Sequence, residues 1–326
     1  MRPYDFAVTY SVAEALDRAG APNSAYLAGG TTLVDLMKLE VVTPSRVVDI
    51  NRVPLTGVRA DRYGLHIAAL ERMSDVAAHP LVRSRFPMLA DALLASASPQ
   101  LRNMASIGGN LLQRSRCGYF RDTATPCNKR TPGTGCPAIK GANRTHAVLG
   151  TSDSCVSPHP SDLAVALVAL DASVRLTGRD GSRDVRLVDF YRLPGATPHL
   201  ENELRPGELV TEVTVPRLDW ATRSTYVKVR DRASYQFALA SAAAAVLVHD
   251  GVVRDVRLAA GGVGTRPWRL AAVEDALRGR PLRLDVVEEV AALSTEGARP
   301  LPHNGFKVPL LRRTITRALM KLADRP

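Results

Sequence analysis

Short apolar runs alternate with helical patterns over residues 1 to about 105. Tyr26-Leu27-Ala28 leads into Gly29-Gly30-Thr31-Thr32, and the apolar positions from Leu33 to Leu39 then recur at helical spacing. This order predicts a strand, a tight glycine turn and the start of a helix. We also predict strands at residues 47–50 and 65–70, and a helix at residues 74–96 that is interrupted near Pro80 and Pro87. Elements in this order indicate an α/β or α+β domain.

The pattern resumes after residue 160 and predicts a second structural unit from about Trp220. Residues 161–171 are apolar at helical spacing, and Ser161 is a suitable N-cap. The predicted strands are residues 173–177, 209–215 and 226–230, and a hairpin of residues 240–249 and 252–259 around Asp250-Gly251. Amphipathic helices are predicted at residues 269–277, 284–293 and 310–322. We therefore expect a small three-stranded sheet backed by a helical bundle.

Periodicity is lost between residues 114 and 160, where proline and glycine are frequent. The segment is too long for an ordinary loop of a compact domain, so something other than a hydrophobic core is expected to hold it. All four cysteines of the 326-residue chain lie here, at Cys117, Cys127, Cys136 and Cys155. Such clustering suggests one shared role for the thiols.

Composition narrows that role. With 45% apolar and 23% charged residues the chain is typical of a globular protein that can bury a core without disulfides. No run approaches 18 apolar residues, so no membrane span is predicted, and no signal peptide is visible at the first residues. We expect folding in the cytoplasm, where reducing conditions disfavour disulfides. The net charge of +11 comes mostly from Arg spread along the chain, which suits a subunit contact or an anionic cofactor as well as nucleic acid.

The cysteine spacing, C-x9-C-x8-C-x18-C, lacks the short knuckle of most structural zinc sites. A 4Fe-4S cluster can take four thiolates from separated positions of an irregular loop. Seven basic residues in the segment would offset its negative charge, although a solvated basic loop explains them too. His146 and His159 could complete a mixed site, but histidines in such places more often do not ligate.

Two glycine segments are candidate phosphate-binding sites. Exposed N–H groups and threonine hydroxyls of residues 28–32 suit an anion, although a turn that merely needs positive φ explains this segment equally well. The second segment, residues 105–110, adds polar groups at Ser106 and Asn110, and a pyrophosphate between the two is the joint interpretation. A third, residues 261–264, is interpreted as a bend. No Ser-His-Asp or Cys-His signature supports hydrolysis.

Four stretches together resemble a known family. AYLAGGTTLVDLMK, RNMASIGGNL, PSDLAVALVALDA and TYVKVRDRASYQFALASAAAAV are similar to the FAD-binding subunit of molybdenum hydroxylases of the xanthine dehydrogenase and carbon monoxide dehydrogenase class. Most members run directly from the second glycine segment to the acidic segment. The insertion of about forty residues here resembles the 4Fe-4S loop of a subgroup, bacterial periplasmic aldehyde oxidoreductases.

The resemblance implies an α+β fold. Residues 1–218 would form a FAD-binding domain of the vanillyl-alcohol-oxidase (PCMH) type, in two subdomains, with the 4Fe-4S insertion loop at about 114–160. Residues 219–326 would form a small α+β domain like the carbon monoxide dehydrogenase flavoprotein C-terminal domain.

The resemblance also implies a set of site residues. FAD would be bound by Tyr26, Leu27, Ala28, Gly29, Gly30, Thr31, Thr32, Leu33, Val34, Ser106, Ile107, Gly108, Gly109, Asn110, Asp162, Val210 and Lys228. Asp162 would bind the flavin through its carboxylate and Val210 through its backbone near the flavin, while Lys228 would lie near the isoalloxazine, where a cation stabilises reduced flavin. Cys117, Cys127, Cys136 and Cys155 would hold the cluster.

By the same resemblance the chain is the FAD and 4Fe-4S electron-transfer subunit of a heterotrimeric molybdenum aldehyde oxidoreductase. A large subunit would carry the molybdenum cofactor, a small subunit would carry 2Fe-2S clusters, and electrons would leave FAD for an external acceptor. Export with a partner that bears a twin-arginine signal would place the complex in the periplasm. The alternatives are the flavin subunit of a xanthine dehydrogenase, carbon monoxide dehydrogenase or hydroxybenzoyl-CoA reductase, and, outside the class, a zinc-bearing nucleic-acid-binding module.

Overall fold

The computed structural model describes residues 1–323, which form three β-sheets and a set of mostly short helices. The strands are β1 Asp5–Val8, β2 Ser24–Leu27, β3 Arg46–Asp49, β4 Val58–Ala60, β5 Gly64–Ala68, β6 Ser173–Gly178, β7 Gly181–Arg186, β8 Leu209–Pro216, β9 Ser224–Val229, β10 Ala240–His249, β11 Val252–Gly261 and β12 Trp268–Arg269. The α-helices are α1 Val12–Arg18, α2 Leu33–Lys38, α3 Met73–Ala78, α4 Pro80–Arg85, α5 Pro87–Ala95, α6 Pro99–Met104, α7 Ile107–Leu111, α8 Gly118–Arg121, α9 Asp162–Ala169, α10 Leu187–Phe190, α11 Ala271–Leu277, α12 Leu284–Ala291 and α13 Lys307–Ala323. Single 3-10 turns lie at Pro137–Ile139, Asp219–Thr222 and Ala292–Thr295.

The amino-terminal sheet is parallel, with strand order β1-β3-β2. Val48 of β3 is fully buried, and Ser11 caps α1 by accepting a hydrogen bond of 3.1 Å from the N–H of Glu14. Strand β2 ends at Leu27 and α2 begins at Leu33, so the first glycine segment lies between a strand and a helix. This part of the prediction is confirmed.

The central sheet is antiparallel and has five strands in the order β4-β5-β8-β6-β7. Its apolar face shares one core with α3, α4, α5 and α9. The helix predicted over residues 74–96 is divided as expected, because Pro80 and Pro87 each begin a new helix.

Helix α9 is buried along its whole length because it lies between the central core and the carboxy-terminal sheet. It packs against α5 on one side and against β10 and β11 on the other. Ser161 caps it, as predicted, by accepting a hydrogen bond of 3.0 Å from the N–H of Ala164. The first residue of α9, Asp162, is thereby fixed at the junction of the two cores.

The carboxy-terminal sheet is antiparallel with strand order β12-β11-β10-β9. The predicted hairpin turn is confirmed, with φ of 52° at Asp250 and 73° at Gly251. The prediction of three strands was wrong, because Trp268–Arg269 pairs with β11 as a strand too short to show alternation. Helices α11, α12 and α13 complete this core. No helix in residues 1–323 is long and apolar enough to cross a bilayer.

The cysteine segment is held partly by apolar contacts, contrary to expectation. Phe120 is fully buried and packs with Leu36 and Val41 beside the amino-terminal sheet. Val148 and Leu149 belong to the carboxy-terminal core, and both N–H groups donate to Val263 O. The segment therefore contributes side chains to two separate apolar clusters.

Candidate functional site

The two glycine segments meet face to face. A Cβ added at Gly29 would lie 1.9 Å from the carbonyl oxygen of Met104 and 3.0 Å from Cα of Ala105, the first residue of the second segment. Gly30 has a φ of +71°, which favours glycine. The close approach at Gly29 and the backbone conformation at Gly30 both require a residue without a side chain. The structure thus brings the two predicted segments together.

The backbone donors of these segments are used differently. The N–H groups of residues 107–110 all donate to protein oxygens, those of Glu71, Ala69 and Ser106. By contrast, no hydrogen bond found within residues 1–323 uses the backbone N–H groups of residues 29–33. Donors at the start of a helix are suited to phosphate oxygens. Of the two segments, the first therefore keeps backbone donors available to an anion, and the second packs against it.

Val210 lies against the second segment. A Cβ added at Gly108 would be 3.4 Å from Val210 Cγ1 and 3.0 Å from Cβ of Ala69, so the short helix α7 rests on β8 at this point. The Asn110 amide is oriented by Ser161, whose hydroxyl donates to Asn110 Oδ1 at 2.6 Å. These contacts join the second glycine segment to the residues that precede α9.

Asp162 is the centre of a buried polar cluster. Its carboxylate accepts hydrogen bonds from Lys228 Nζ and the Tyr226 hydroxyl, both at 2.7 Å, and from Ser96 Oγ at 3.0 Å. Lys228 also donates to Ala95 O at 3.1 Å, and its side chain is only 4% exposed. Burial and the Asp162 carboxylate raise the pKa of Tyr226 well above its usual value. The tyrosine is therefore a neutral hydrogen-bond donor to the Asp162–Lys228 pair.

Tyr226 was missed by the sequence analysis. It precedes Lys228 by two residues on β9, so alternation places both side chains on one face of that strand. The signal was present in the sequence once Lys228 was singled out.

A cavity of about 190 Å³ extends from Asp162 to the cysteine segment. Cys117 and His146 line one part of it, and Ser161 and Asp162 line another. Residues from the β9–β10 connection and from the third glycine segment complete the wall, namely Gln236, Phe237, Ala238, Leu239, Gly261 and Gly262. The third glycine segment was interpreted only as a bend, and its place at this cavity could not be read from local sequence.

The four cysteines are free thiols and converge on one small cavity. Burial raises the pKa of Cys117 to about 11, and burial also raises the pKa of Cys136 and Cys155. Backbone N–H groups oppose this effect, those of Tyr119 and Phe120 at Cys117 and those of Val156, Ala138 and Ile139 at Cys136. Within residues 1–323 no three or more of the His, Cys, Asp and Glu side chains are placed to hold a single metal ion.

This donor set fits a multi-iron cluster better than a single ion. Four sulfurs face one cavity without closing on a common point, and N–H groups directed at sulfur stabilise thiolates. Burial alone would keep the Cys117, Cys136 and Cys155 thiols protonated, so thiolate formation at these three residues needs the positive charge of bound metal. The N–H groups of residues 29–33, which have no hydrogen-bond acceptor among residues 1–323, likewise fit an anionic dinucleotide.

His146 is closer to the thiols than expected. Its Nε2 lies 3.2 Å from Cys117 Sγ, whereas a role at the cysteines was considered the less frequent case. Burial, with a smaller effect of Lys307, lowers the pKa of His146 to about 4, so the ring is neutral at pH 7. The other candidate, His159, instead accepts a hydrogen bond from the N–H of Ser161 at 3.3 Å.

The basic residues of the segment are paired with carboxylates elsewhere in the chain. Asp35 binds Arg116 and Arg121, with N···O distances of 2.6 and 2.7 Å. Glu201 binds Arg114 and Lys129, at 2.9 and 3.3 Å. These four side chains are therefore paired rather than solvated, and the charge of Lys129 also lowers the pKa of Cys155, against the larger effect of burial. Their main role is to attach the segment to the rest of the fold.

Comparisons with known proteins cover nearly the whole chain. A family model for the FAD binding domain in molybdopterin dehydrogenase matches residues 2–218, and one for the CO dehydrogenase flavoprotein C-terminal domain matches residues 225–323. The aldehyde oxidoreductase FAD-binding subunit PaoB of Escherichia coli is 46% identical over 94% of this chain and 93% of its own length. The glyceraldehyde dehydrogenase medium chain of Sulfolobus acidocaldarius is 32% identical over 94% and 92%.

Solved structures of similar shape extend over nearly the whole chain. A chain of carbon monoxide dehydrogenase from Hydrogenophaga pseudoflava superposes with a TM-score of 0.76 at 25% identity, covering 98% of this chain and 96% of that one. A chain of quinoline 2-oxidoreductase from Pseudomonas putida 86 gives a TM-score of 0.77 at 22% identity, with coverage of 99% and 97%. The second likeness concerns the fold alone.

Proposed function

The chain belongs to the family of FAD-binding subunits of molybdenum hydroxylases, and within that family we propose that it is the FAD and 4Fe-4S electron-transfer subunit of an aldehyde oxidoreductase. The resemblance and the fold class predicted from the sequence are confirmed by the two family matches and the similar structures. The chain is therefore an oxidoreductase subunit. An aldehyde as the substrate of the complex is supported by the 46% identity with the FAD-binding subunit PaoB.

The observation that carries the proposal is the shared cavity. Cys117 lines both the small cavity of the four thiols and the larger cavity bounded by Asp162. A cluster held by Cys117, Cys127, Cys136 and Cys155 would thus share a wall with the flavin site. An iron–sulfur cluster supplies one-electron transfer, and short separation favours exchange with a flavin.

We assign the FAD contacts as follows. The N–H groups of residues 29–33 bind the pyrophosphate, and residues 106–110 with Val210 form the opposing wall. Tyr26 to Ala28 and Val34 support the first segment, and Asp162 holds Lys228 in place beside the ring. Bound FAD supplies electron uptake and release, singly or in pairs. The chain's contribution is to bind FAD and to keep a cation nearby.

The remaining assignments concern the complex. Residues 1–218 and 219–326 are assigned as the two domains, in line with the residues that the family models match. A large molybdenum-cofactor subunit and a small 2Fe-2S subunit would supply the electrons, and an external acceptor would receive them. A periplasmic location would follow from export with a signal-bearing partner, and cell fractionation tests it.

Anaerobic purification with a visible spectrum and assays for FAD, iron and acid-labile sulfide tests the cofactors. We expect a flavin band and about four iron atoms per chain. Colourless protein that contains zinc and no flavin would contradict the proposal and favour the nucleic-acid-binding alternative. Cys136→Ser should lose cluster iron and keep FAD, while Thr123→Ser, at an exposed position of the same segment, should keep both.

Turnover of the assembled complex tests the role of the cluster. If the cluster relays electrons, Cys136→Ser lowers turnover of the complex with aldehyde while each partner retains its own cofactor. Normal turnover of a less stable complex would show that the cluster only holds the loop.

A further inference from the structure

His146 is fixed between the two candidate cofactor sites. The residue is 3% exposed, its backbone N–H donates to Asn143 O at 2.9 Å, and its carbonyl accepts from Asn304 Nδ2 at 3.2 Å. Asn304 is itself fully buried and also binds Ala147 O. The backbone around His146 is therefore held on both sides, and the ring has little freedom to leave Cys117.

The two ring nitrogens face different surroundings. Nε2 is 3.2 Å from Cys117 Sγ. Among the residues that the structure describes, Cys117 is the candidate cluster ligand whose sulfur contacts a side-chain donor. Nδ1 is buried and has no hydrogen-bond partner within residues 1–323. The residue lines the cavity that leads to Asp162. A buried polar nitrogen normally has a hydrogen-bond partner, which is supplied by the protein, by a ligand or by water.

We propose that His146 is a positioning residue for the cluster, donating a hydrogen bond from Nε2–H to the Cys117 sulfur and so raising the cluster's reduction potential. The inference rests on the proposed function. A thiolate offers no proton, so the bond requires the tautomer with hydrogen on Nε2. Reduction adds negative charge to the cluster and its sulfurs, and a hydrogen bond to sulfur stabilises that charge.

The same tautomer leaves Nδ1 as an acceptor directed away from the sulfur. A hydrogen bond to one ring nitrogen determines what the other can do. Nδ1 of His146 can therefore only accept a hydrogen bond while Nε2–H donates to Cys117.

The test is an EPR-monitored redox titration of the complete complex with His146→Phe and His146→Gln. Phenylalanine keeps a ring of similar size and removes the donor, while the glutamine amide retains one. We expect both variants to keep iron, and His146→Phe to have a more negative cluster potential, with the ratio of reduced to oxidised cluster roughly tenfold lower at the wild-type midpoint potential. His146→Gln should stay near wild type, and the flavin potential should change less than the cluster potential.

Each outcome decides the question. A wild-type cluster potential in His146→Phe overturns the inference and leaves the proposed function intact. Loss of iron from His146→Phe, with or without loss from His146→Gln, also overturns it, because His146 would then be needed for packing or ligation rather than to set the potential. Absence of any cluster from the wild-type protein would instead refute the proposed function.

Discussion

Gly29→Ala tests whether the close contact between the glycine segments forms the nucleotide site. The added Cβ would lie 1.9 Å from Met104 O and 2.6 Å from Met104 C, whereas ordinary contact begins at 3.4 Å. Relief therefore needs a separation of about 1.5 Å between the first segment and the end of α6. The atoms that are met belong to the backbone, so no side-chain rotation can absorb the change.

The expected cost is at the upper end for overpacking, about 3 kcal/mol. For a domain of this size, about 2–4 °C of Tm is lost per kcal/mol, so differential scanning fluorimetry should show a fall of roughly 6–12 °C. The displaced N–H groups of residues 29–33 should also bind the pyrophosphate poorly. We expect the FAD content of the purified protein to fall at least tenfold.

Gly305→Ala is the matched control, because the nearest atom to its added Cβ is Pro300 Cβ at 4.0 Å. It should retain the wild-type Tm and FAD content. A Gly29→Ala protein with full FAD and an unchanged Tm would refute the argument from close approach. Normal Tm with little FAD would show that the fold tolerates the change and that binding does not.

Three further predictions concern buried polar groups. Burial lowers the pKa of Lys307 to about 7. The unfolded chain therefore binds one more proton than the folded chain between about pH 7 and 10, and the free energy of unfolding should rise in this range by up to about 1.4 kcal/mol per pH unit. Urea unfolding of Lys307→Met should lack this rise; parallel curves for the two proteins would contradict it. Tyr226→Phe removes a donor from buried Asp162 and should cost about 1–3 kcal/mol in the same assay, while the exposed control Tyr63→Phe should cost little; equal costs would contradict the buried hydrogen bond. Glu201→Gln should weaken both ion pairs of that carboxylate, and faster hydrogen exchange over residues 114–160 would show it; unchanged exchange would mean that the apolar contacts suffice.

Local signals predicted much of the fold. The Asp250-Gly251 turn needs two residues with positive φ, and the cap at Ser161 needs only a neighbouring backbone N–H. Each of these structures is therefore determined by a few adjacent residues. The strand–turn–helix at Gly29 is equally local. Each was confirmed because no distant part of the chain opposes the local preference.

Other features depend on distant contacts and were not predictable. Strand β12 has two residues and exists only because β11 lies beside it. Asp35 binds Arg116 across 81 positions, and Cys117 meets His146 across 29. In each pair, the sequence around one residue gives no indication of its partner. The resemblance supplied the site's residue list, but not the Tyr226 hydrogen bond or the wall formed by Gly262.

The double attachment of the cysteine segment has a consequence for synthesis of the chain. Phe120 can pack near Leu36 as soon as both have left the ribosome, but Val148 requires the strands and helices of residues 240–323. Domains that emerge first usually fold first. The segment is thus completed late, and until then it presents four unprotected thiols. Growth under oxidative stress should reduce the yield of intact protein chiefly through damage to nascent chains.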